Sequence, residues 1–217
     1  MHKSIHNLAL INEQIKLKFR STNNYEIIAV SKTFPISEIH PLIEYGHLHF
    51  GENKVQEAVE KWPKIKQNYK DIKLHMIGRL QTNKVKFAIP LFDYIHSLDS
   101  LKLAKKIYEE QNKIKKSLKI FIQVNIGNEE QKSGINEEYL EEFYNKCISE
   151  FNLDIVGLMC LPPNNSDISD YFLKMNDLAK KHNLKELSMG MSNDYLEAVR
   201  HGATFVRVGS AIFGNRS

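Results

Sequence analysis

The sequence is poor in most of the features that announce a specialised chemistry. Cys147 and Cys160 are its only cysteines among 217 residues, too few for a metal-ligand spacing or a disulfide framework, and a reducing compartment fits them. No apolar run approaches the length needed to cross a bilayer. The first residues, MHKSIHNLALINEQI, are broken by charged and polar side chains, unlike a signal peptide. Neither sign of charge dominates. Thirty basic residues face 26 acidic ones, for a net +4, and they are interleaved, which speaks against a nucleic-acid binder. There is no linker, no low-complexity segment and no sequence repeat. What remains is an ordinary globular balance, 42% hydrophobic and 26% charged, over a length that suits one domain or at most two. The expectation is a soluble cytoplasmic protein without membrane contact.

The chain that is there alternates regularly. Apolar residues Ile5, Leu8, Ile11, Ile15 and Phe19 recur at helical spacing, which predicts an amphipathic helix over Ser4–Phe19 with Ser4 as its N-cap. Strands are expected at Glu26–Ser31, His47–Gly51, Lys73–Ile77, Phe92–His96, Leu118–Val124, Asp154–Met159, Glu186–Met189 and Thr204–Val208. Between them helices are expected at Ser37–Tyr45 (capped by Ser37, with Gly46 past its end), Asn53–Trp62 (stopped by Pro63), Gln81–Phe87, Asp99–Lys115, Asn136–Glu150, Ile168–His182 and Asn193–His201. Eight strands alternating with helices favour a single-domain (β/α)₈ TIM barrel over 1–217. An open doubly wound sheet is disfavoured, because no glycine-rich phosphate loop follows the first strand. The chain reaches Ser217 before an eighth helix can form, so the N-terminal helix is expected to stand in for it.

In such a barrel, functional residues lie at the carboxyl ends of the strands. The first strand, EIIAV, runs into Ser31, Lys32 and Thr33. A lysine there can reach a pocket with apolar walls, where desolvation favours the neutral amine, a nucleophile towards aldehydes. The alternative is a solvated loop lysine. The other ends bring Gly51, Glu52 and Asn53; Gly78, Arg79 and Gln81; His96 and Ser97; Asn125; and Met159 and Cys160. The last two carry SMGMSND, Ser188–Asp194, and RVGSAIFG, Arg207–Gly214. Their glycines allow backbone N–H groups to approach an anion, and phosphate sites after strands seven and eight are common in barrels.

Plainer readings stand beside these. Ser192 and Asn193, taken alone, read as N-caps. Asn53 with Gln56 is close to a capping box. His47 and His49, two apart on a strand, share a face, yet no carboxylate cluster accompanies them and no metal is expected. Met159, Met189 and Met191 suit packing.

Taken together, AVSKTFP, FGENKVQE, HMIGRLQTNK, HSLDS, QVNIGNEEQKSGI, GLMCLPP, LSMGMSNDYLEAV and VRVGSAIFG resemble the pyridoxal phosphate homeostasis protein family, the YggS-like proteins, over essentially the whole chain. The resemblance implies a barrel of the alanine racemase N-terminal type. It implies pyridoxal 5′-phosphate (PLP) held as a Schiff base on Lys32, phosphate contacts from Ser192, Gly209 and Ser210, and Arg207 facing the pyridine nitrogen. Asn53 would line the ring pocket, and Met191, within the same segment as Ser192, joins the cofactor-binding candidates. Lys132 matches a family lysine associated with cofactor exchange. The chain departs from its relatives at Phe34, where many have a second lysine, and at its end, Ser217, which comes without the basic C-terminal residues of some members.

Binding PLP does not by itself imply turnover. Bond cleavage at Cα uses the pyridinium as an electron sink, and an arginine at the ring nitrogen weakens it. The racemases that carry this arginine draw a second base from another domain. The favoured reading is therefore a monomeric carrier in intracellular vitamin B6 homeostasis, with apo-forms of PLP enzymes as candidate partners. The alternatives are a narrow-range fold-type III PLP enzyme, racemase or decarboxylase, a Schiff-base aldolase acting on a phosphorylated sugar, and a protein-interaction module.

Overall fold

In the computed structural model, which describes residues 1–19, 24–163 and 168–214, eight parallel strands close into a barrel in sequence order. The strands are β1 (Glu26–Val30), β2 (His49–Glu52), β3 (Lys73–Met76), β4 (Tyr94–Leu98), β5 (Lys119–Val124), β6 (Ile155–Cys160), β7 (Glu186–Ser188) and β8 (Phe205–Val208). Closure comes from β1 pairing with β8, Ile28 opposite Arg207 and Ala29 opposite Val208. The helices are α1 (Lys3–Phe19), α2 (Ile36–Glu44), α3 (Val55–Lys61), α4 (Pro63–Asn68), α5 (Val85–Leu91), α6 (Leu101–Ile114), α7 (Glu137–Ser149), α8 (Ile168–Lys181), α9 (Tyr195–Arg200) and α10 (Ser210–Phe213). No helix among the described residues is long and apolar enough to cross a membrane.

Side-chain alternation divides each strand between two cores. On β1, Ile27 and Ala29 join the large cluster beneath the helices, whereas Ile28 joins Tyr94, Phe121, Met159 and Phe205 in the barrel interior. The interior is thus filled by side chains, as barrels of this strand number require.

The expected stand-in for the last helix is present, with one amendment. A four-residue helix, α10, does follow β8, but it is too short to cover a wall. Helix α1 packs over α10, α2 and α9, burying Leu8, Ile11 and Ile15. Burial of each stabilises the fold by about 1.5–3 kcal/mol. Asn7 Nδ2 donates to the Ile212 carbonyl at 2.9 Å, and the Tyr195 hydroxyl donates to Gln14.

Several helix ends differ from expectation. Ser4 lies inside α1 and is buried, and the ring of His2 accepts from its N–H instead. Pro35, not Ser37, precedes α2. Pro63 does not merely stop a helix. It opens α4, a first-turn position where its missing N–H has no cost. Ser100 caps α6, accepting from the Leu103 N–H at 3.3 Å.

Candidate functional site

The segment that carries Lys32 is clamped on both sides. Ser31 is fully buried. Its N–H donates to the Gly51 carbonyl at 3.0 Å and its hydroxyl to Glu52 Oε1 at 2.8 Å. Thr33 adopts φ +67°, an outlier for a β-branched residue, and its N–H donates to Glu57 Oε1 at 2.5 Å. Lys61 ties these pieces together, donating to the Ser31 carbonyl at 3.0 Å and to Glu52 and Glu57 at 2.9 Å each. Burial alone would raise the Glu57 pKa, but the hydrogen bonds from Lys61 and Thr33 outweigh it and hold the carboxyl low. Lys32 therefore leaves a backbone fixed at the residue before and the residue after.

A second wall comes from the ends of β7 and β8. Gly190 has φ +88°, and a Cβ there would lie 2.5 Å from the Ala198 methyl, so this turn requires glycine. Ser192 and Asn193 do not cap the next helix. Asp194 precedes α9 and accepts from the Met191 N–H at 2.5 Å. That frees the Ser192 hydroxyl, which accepts from the N–H groups of Gly209 at 3.4 Å and Ala211 at 3.3 Å. Ser210, exposed, opens α10 beside them. Two backbone N–H groups and two hydroxyls thus form a cradle for an anion.

Between these walls stands Arg207, 4% exposed. It donates through Nη1 to Ser188 Oγ at 2.7 Å and through Nη2 to the Cys160 carbonyl at 2.8 Å. Burial lowers its pKa, but a guanidinium remains charged in proteins. Cys160 lies beneath it, with burial pushing the thiol up to about 12, far from a reactive thiolate.

The β5–α7 loop supplies Lys132. Asn125 holds this loop in both directions, donating to the Glu129 carbonyl at 2.9 Å and accepting from the Glu129 N–H at 3.2 Å. Gly134, at φ +125°, lets the chain return against β5, where a Cβ would meet the Asn125 nitrogen at 2.6 Å. Lys132 pairs with Glu129 and reaches the carbonyls of Leu161 at 3.4 Å and Pro162 at 3.3 Å. Asn53 takes no part in a capping box, since Lys54 precedes α3 and no side chain caps it.

One cavity of about 1190 Å³ gathers the candidates. Lys32, Asn53 and Lys132 line it, as do Met191, Ser192, Arg207, Gly209 and Ser210. Val30, Phe34, Ile77, Leu161 and Pro162 add apolar wall. Met191 is accordingly a wall residue, 38% exposed, unlike the fully buried Met159 and Met189. Phe34 stacks on Phe213, with ring centroids 4.8 Å apart. The tail at Ser217 lies outside the described residues. An amine, a buried guanidinium and an anion cradle around apolar walls suit a flat, anionic aldehyde.

Two groups of residues escaped sequence reasoning. The Lys61 clamp is one. The other lies in the interior, where His47 and His49 do not share a face. Strand β2 begins only at His49, and the His47 ring packs edge-on against Phe50 of the outer face, while His49 meets His75 and Phe205 inside. His96 sits within β4 rather than at its end and is fully buried. Inward alternation on β2, β3 and β4 was the available signal.

The model of the alanine racemase N-terminal domain matches residues 5–217. A pyridoxal phosphate homeostasis protein of Aquifex aeolicus is 38% identical over 206 residues, 91% of this chain and 90% of that protein. A protein of the same name from Haemophilus influenzae is 37% identical over 226 residues, 98% of this chain and 95% of that one. The structure of PipY from Synechococcus elongatus with PLP bound superposes with a TM-score of 0.84 at 31% identity, covering 97% of this chain and all of that one. On these matches the chain belongs to the alanine racemase N-terminal domain family and, within it, to the pyridoxal phosphate homeostasis proteins.

Proposed function

We propose that this chain binds PLP in the cavity, carries it as a Schiff base on Lys32, and acts in intracellular vitamin B6 homeostasis without a turnover activity of its own. The observation that carries this reading is the convergence of Lys32, Arg207 and the Ser192–Gly209–Ser210 cradle on one cavity. The family's name and the PLP-bound relative support the same ligand. The donor set fits it, because Lys32 would meet the aldehyde, Arg207 the ring nitrogen and the cradle the phosphate. The Ser192 and Ser210 hydroxyls and the N–H groups of Gly209 and its neighbours would take the phosphate. Asn53 and Met191, which line the same cavity, would flank the ring.

Bound here, the cofactor would supply an aldehyde carbon to the lysine and an electron sink for bonds at Cα. Arg207 works against the sink. It has donors and no acceptor, so it presents positive charge to the ring nitrogen and disfavours a proton there. Lys132, at the rim, assists exchange of the ligand. In this reading the protein works as a cytoplasmic monomer, with apo-forms of PLP enzymes as recipients.

The test is titration of the purified protein with PLP, followed by incubation with Cα-deuterated amino acids. Stoichiometric binding that Lys32→Ala loses, with no loss of deuterium, is the expected result. Failure to bind stoichiometrically contradicts the carrier. Deuterium loss contradicts the absence of turnover and favours the racemase alternative, and release of carbon dioxide contradicts it in favour of the decarboxylase.

A further inference from the structure

A continuous chain of polar contacts descends through the barrel interior from Arg207 to the opposite mouth. Arg207 Nη1 donates to Ser188 Oγ at 2.7 Å. Ser188 Oγ lies 2.8 Å from His96 Nδ1, His96 Nε2 lies 2.9 Å from His75 Nδ1, and His75 Nε2 lies 3.0 Å from His49 Nδ1. His49 Nε2 then faces Glu26 Oε2 at 3.7 Å. Ser188, His96 and His75 are completely buried, whereas the Glu26 side chain is 57% exposed. Six strands each contribute one member.

Both ends impose the same direction on this chain. A guanidinium only donates, so Ser188 Oγ accepts from Arg207 and its own hydrogen goes to His96 Nδ1. His96 then holds its proton on Nε2 and donates to His75 Nδ1. His75 in turn donates from Nε2 to His49 Nδ1, and His49 turns its Nε2–H towards the Glu26 carboxylate. The reverse order would set an imidazole lone pair against that carboxylate. It would also leave the Ser188 hydrogen without an acceptor among the hydrogen bonds of the described residues.

The rings are neutral, as such a chain requires. Burial lowers His49 to about 4 and holds His75 and His96 well below their ordinary range. The groups facing His49 are Glu26, His47, Lys73, His75 and Asp93. The groups whose charge acts on His75 are His47, His49, His96 and Lys66, with Tyr94 stacked on its ring, and those that act on or touch His96 are Arg207, His49, His75 and Ser188. Each dipole turns its negative end to Arg207 and its positive end to Glu26, so aligned hydrogen bonds reinforce one another. Filling space does not explain three imidazoles in a barrel core. The neighbouring positions do that with Phe121 and Phe205, which stack on or abut the same rings.

We propose that Ser188, His96, His75 and His49 are positioning residues, a polarised relay that fixes the Arg207 guanidinium in the cavity from the far mouth of the barrel. That Arg207 then addresses a ligand ring rests on the proposed function; the relay itself does not.

The test uses the full chain. Nitrogen-15 spectra of the imidazole rings, recorded between about pH 5.5 and 8.5, span the range in which an unperturbed histidine titrates. His49, His75 and His96 are expected to show the neutral Nε2–H form throughout. A protonated or Nδ1–H ring at His75 or His96 overturns the relay, and the wild-type spectrum decides this even where variants fail to fold. Ser188→Ala cuts the link between Arg207 and His96. It is expected to broaden the Arg207 Nη signals and weaken PLP binding about tenfold, the scale of one hydrogen bond to a charged group. Ser188→Thr, which keeps the hydroxyl, is expected to retain both. Unchanged Arg207 signals and affinity in Ser188→Ala overturn the positioning role. A wild-type protein that binds no PLP contradicts the proposed function instead, and the ring tautomers and Arg207 signals still decide the relay.

Discussion

The two halves of the barrel interior solve opposite problems. The lower half is full. Tyr94, Phe121 and Phe205 pack there with Ile28 and Met159, and the imidazoles among them are linked to one another, to Ser188 and to Glu26. The upper half is open, with a cavity of about 1190 Å³ whose polar groups converge without filling it. Arg207 belongs to both. Below, its Nη1 is tied to Ser188, and above, it lines the cavity. Rigidity sits in one half and chemistry in the other, and the boundary residue is anchored by the first so that it can serve the second. The clamp around Lys32 repeats this pattern outside the barrel wall. Lys61, only 8% exposed in its side chain, holds the backbone and leaves the neighbouring lysine to the cavity.

The largest break would be to remove the shared support of both halves. Deleting residues 1–20 strips α1 from α10, α2 and α9 and exposes the apolar surface that Leu8, Ile11 and Ile15 cover. Insoluble protein is expected on expression, and a soluble product with a cooperative urea transition would show that α1 is dispensable. Next come losses confined to one region. Phe121→Ala empties the lower half and should cost about 3–5 kcal/mol in urea unfolding. Lys61→Met leaves Glu52, fully buried, without its cation. It should also cost about 3–5 kcal/mol, and it should weaken attachment at Lys32 although residue 61 does not line the cavity. Lys32→Ala, by contrast, should change stability by no more than about 0.5 kcal/mol while abolishing covalent attachment. Equal destabilisation by Phe121→Ala and Lys32→Ala would erase the division between the halves.

Acid sharpens the same contrast. Folded His47 and His49 titrate at about 4 against 6.5 for an ordinary imidazole. Between those values the unfolded chain binds more protons, so stability is intact above pH 6.5 and falls as the pH drops towards 4. At the full shift each histidine accounts for about 3 kcal/mol. Urea midpoints across this range would check it, and His49→Gln should flatten part of the slope.

Much of this was legible in the sequence because it is local. The EIIAV strand, the amphipathic spacing of α1 and the alternation of elements depend on neighbours a few residues apart, and strand ends follow from strands. Lys32, Arg207 and the residues of SMGMSND could therefore be placed at one mouth before any contact was known. The relay could not. Its links join residues as far apart as His96 and Ser188, 92 positions away in the chain, and only barrel register brings them together. Ser192 misled for a related reason. Its local context offers a helix to cap, and the competing N–H groups of Gly209 and Ala211 lie 17 and 19 residues away. His47 and His49 misled through a strand boundary displaced by two residues, enough to separate their faces.

The central claim is that the open half exists to hold PLP on Lys32. Borohydride reduction of the PLP-treated protein, followed by peptide mass mapping, tests it most directly. The account predicts a pyridoxyl group on the peptide that contains Lys32 and its loss in Lys32→Ala. No adduct, or an adduct placed reproducibly on another lysine, would contradict it.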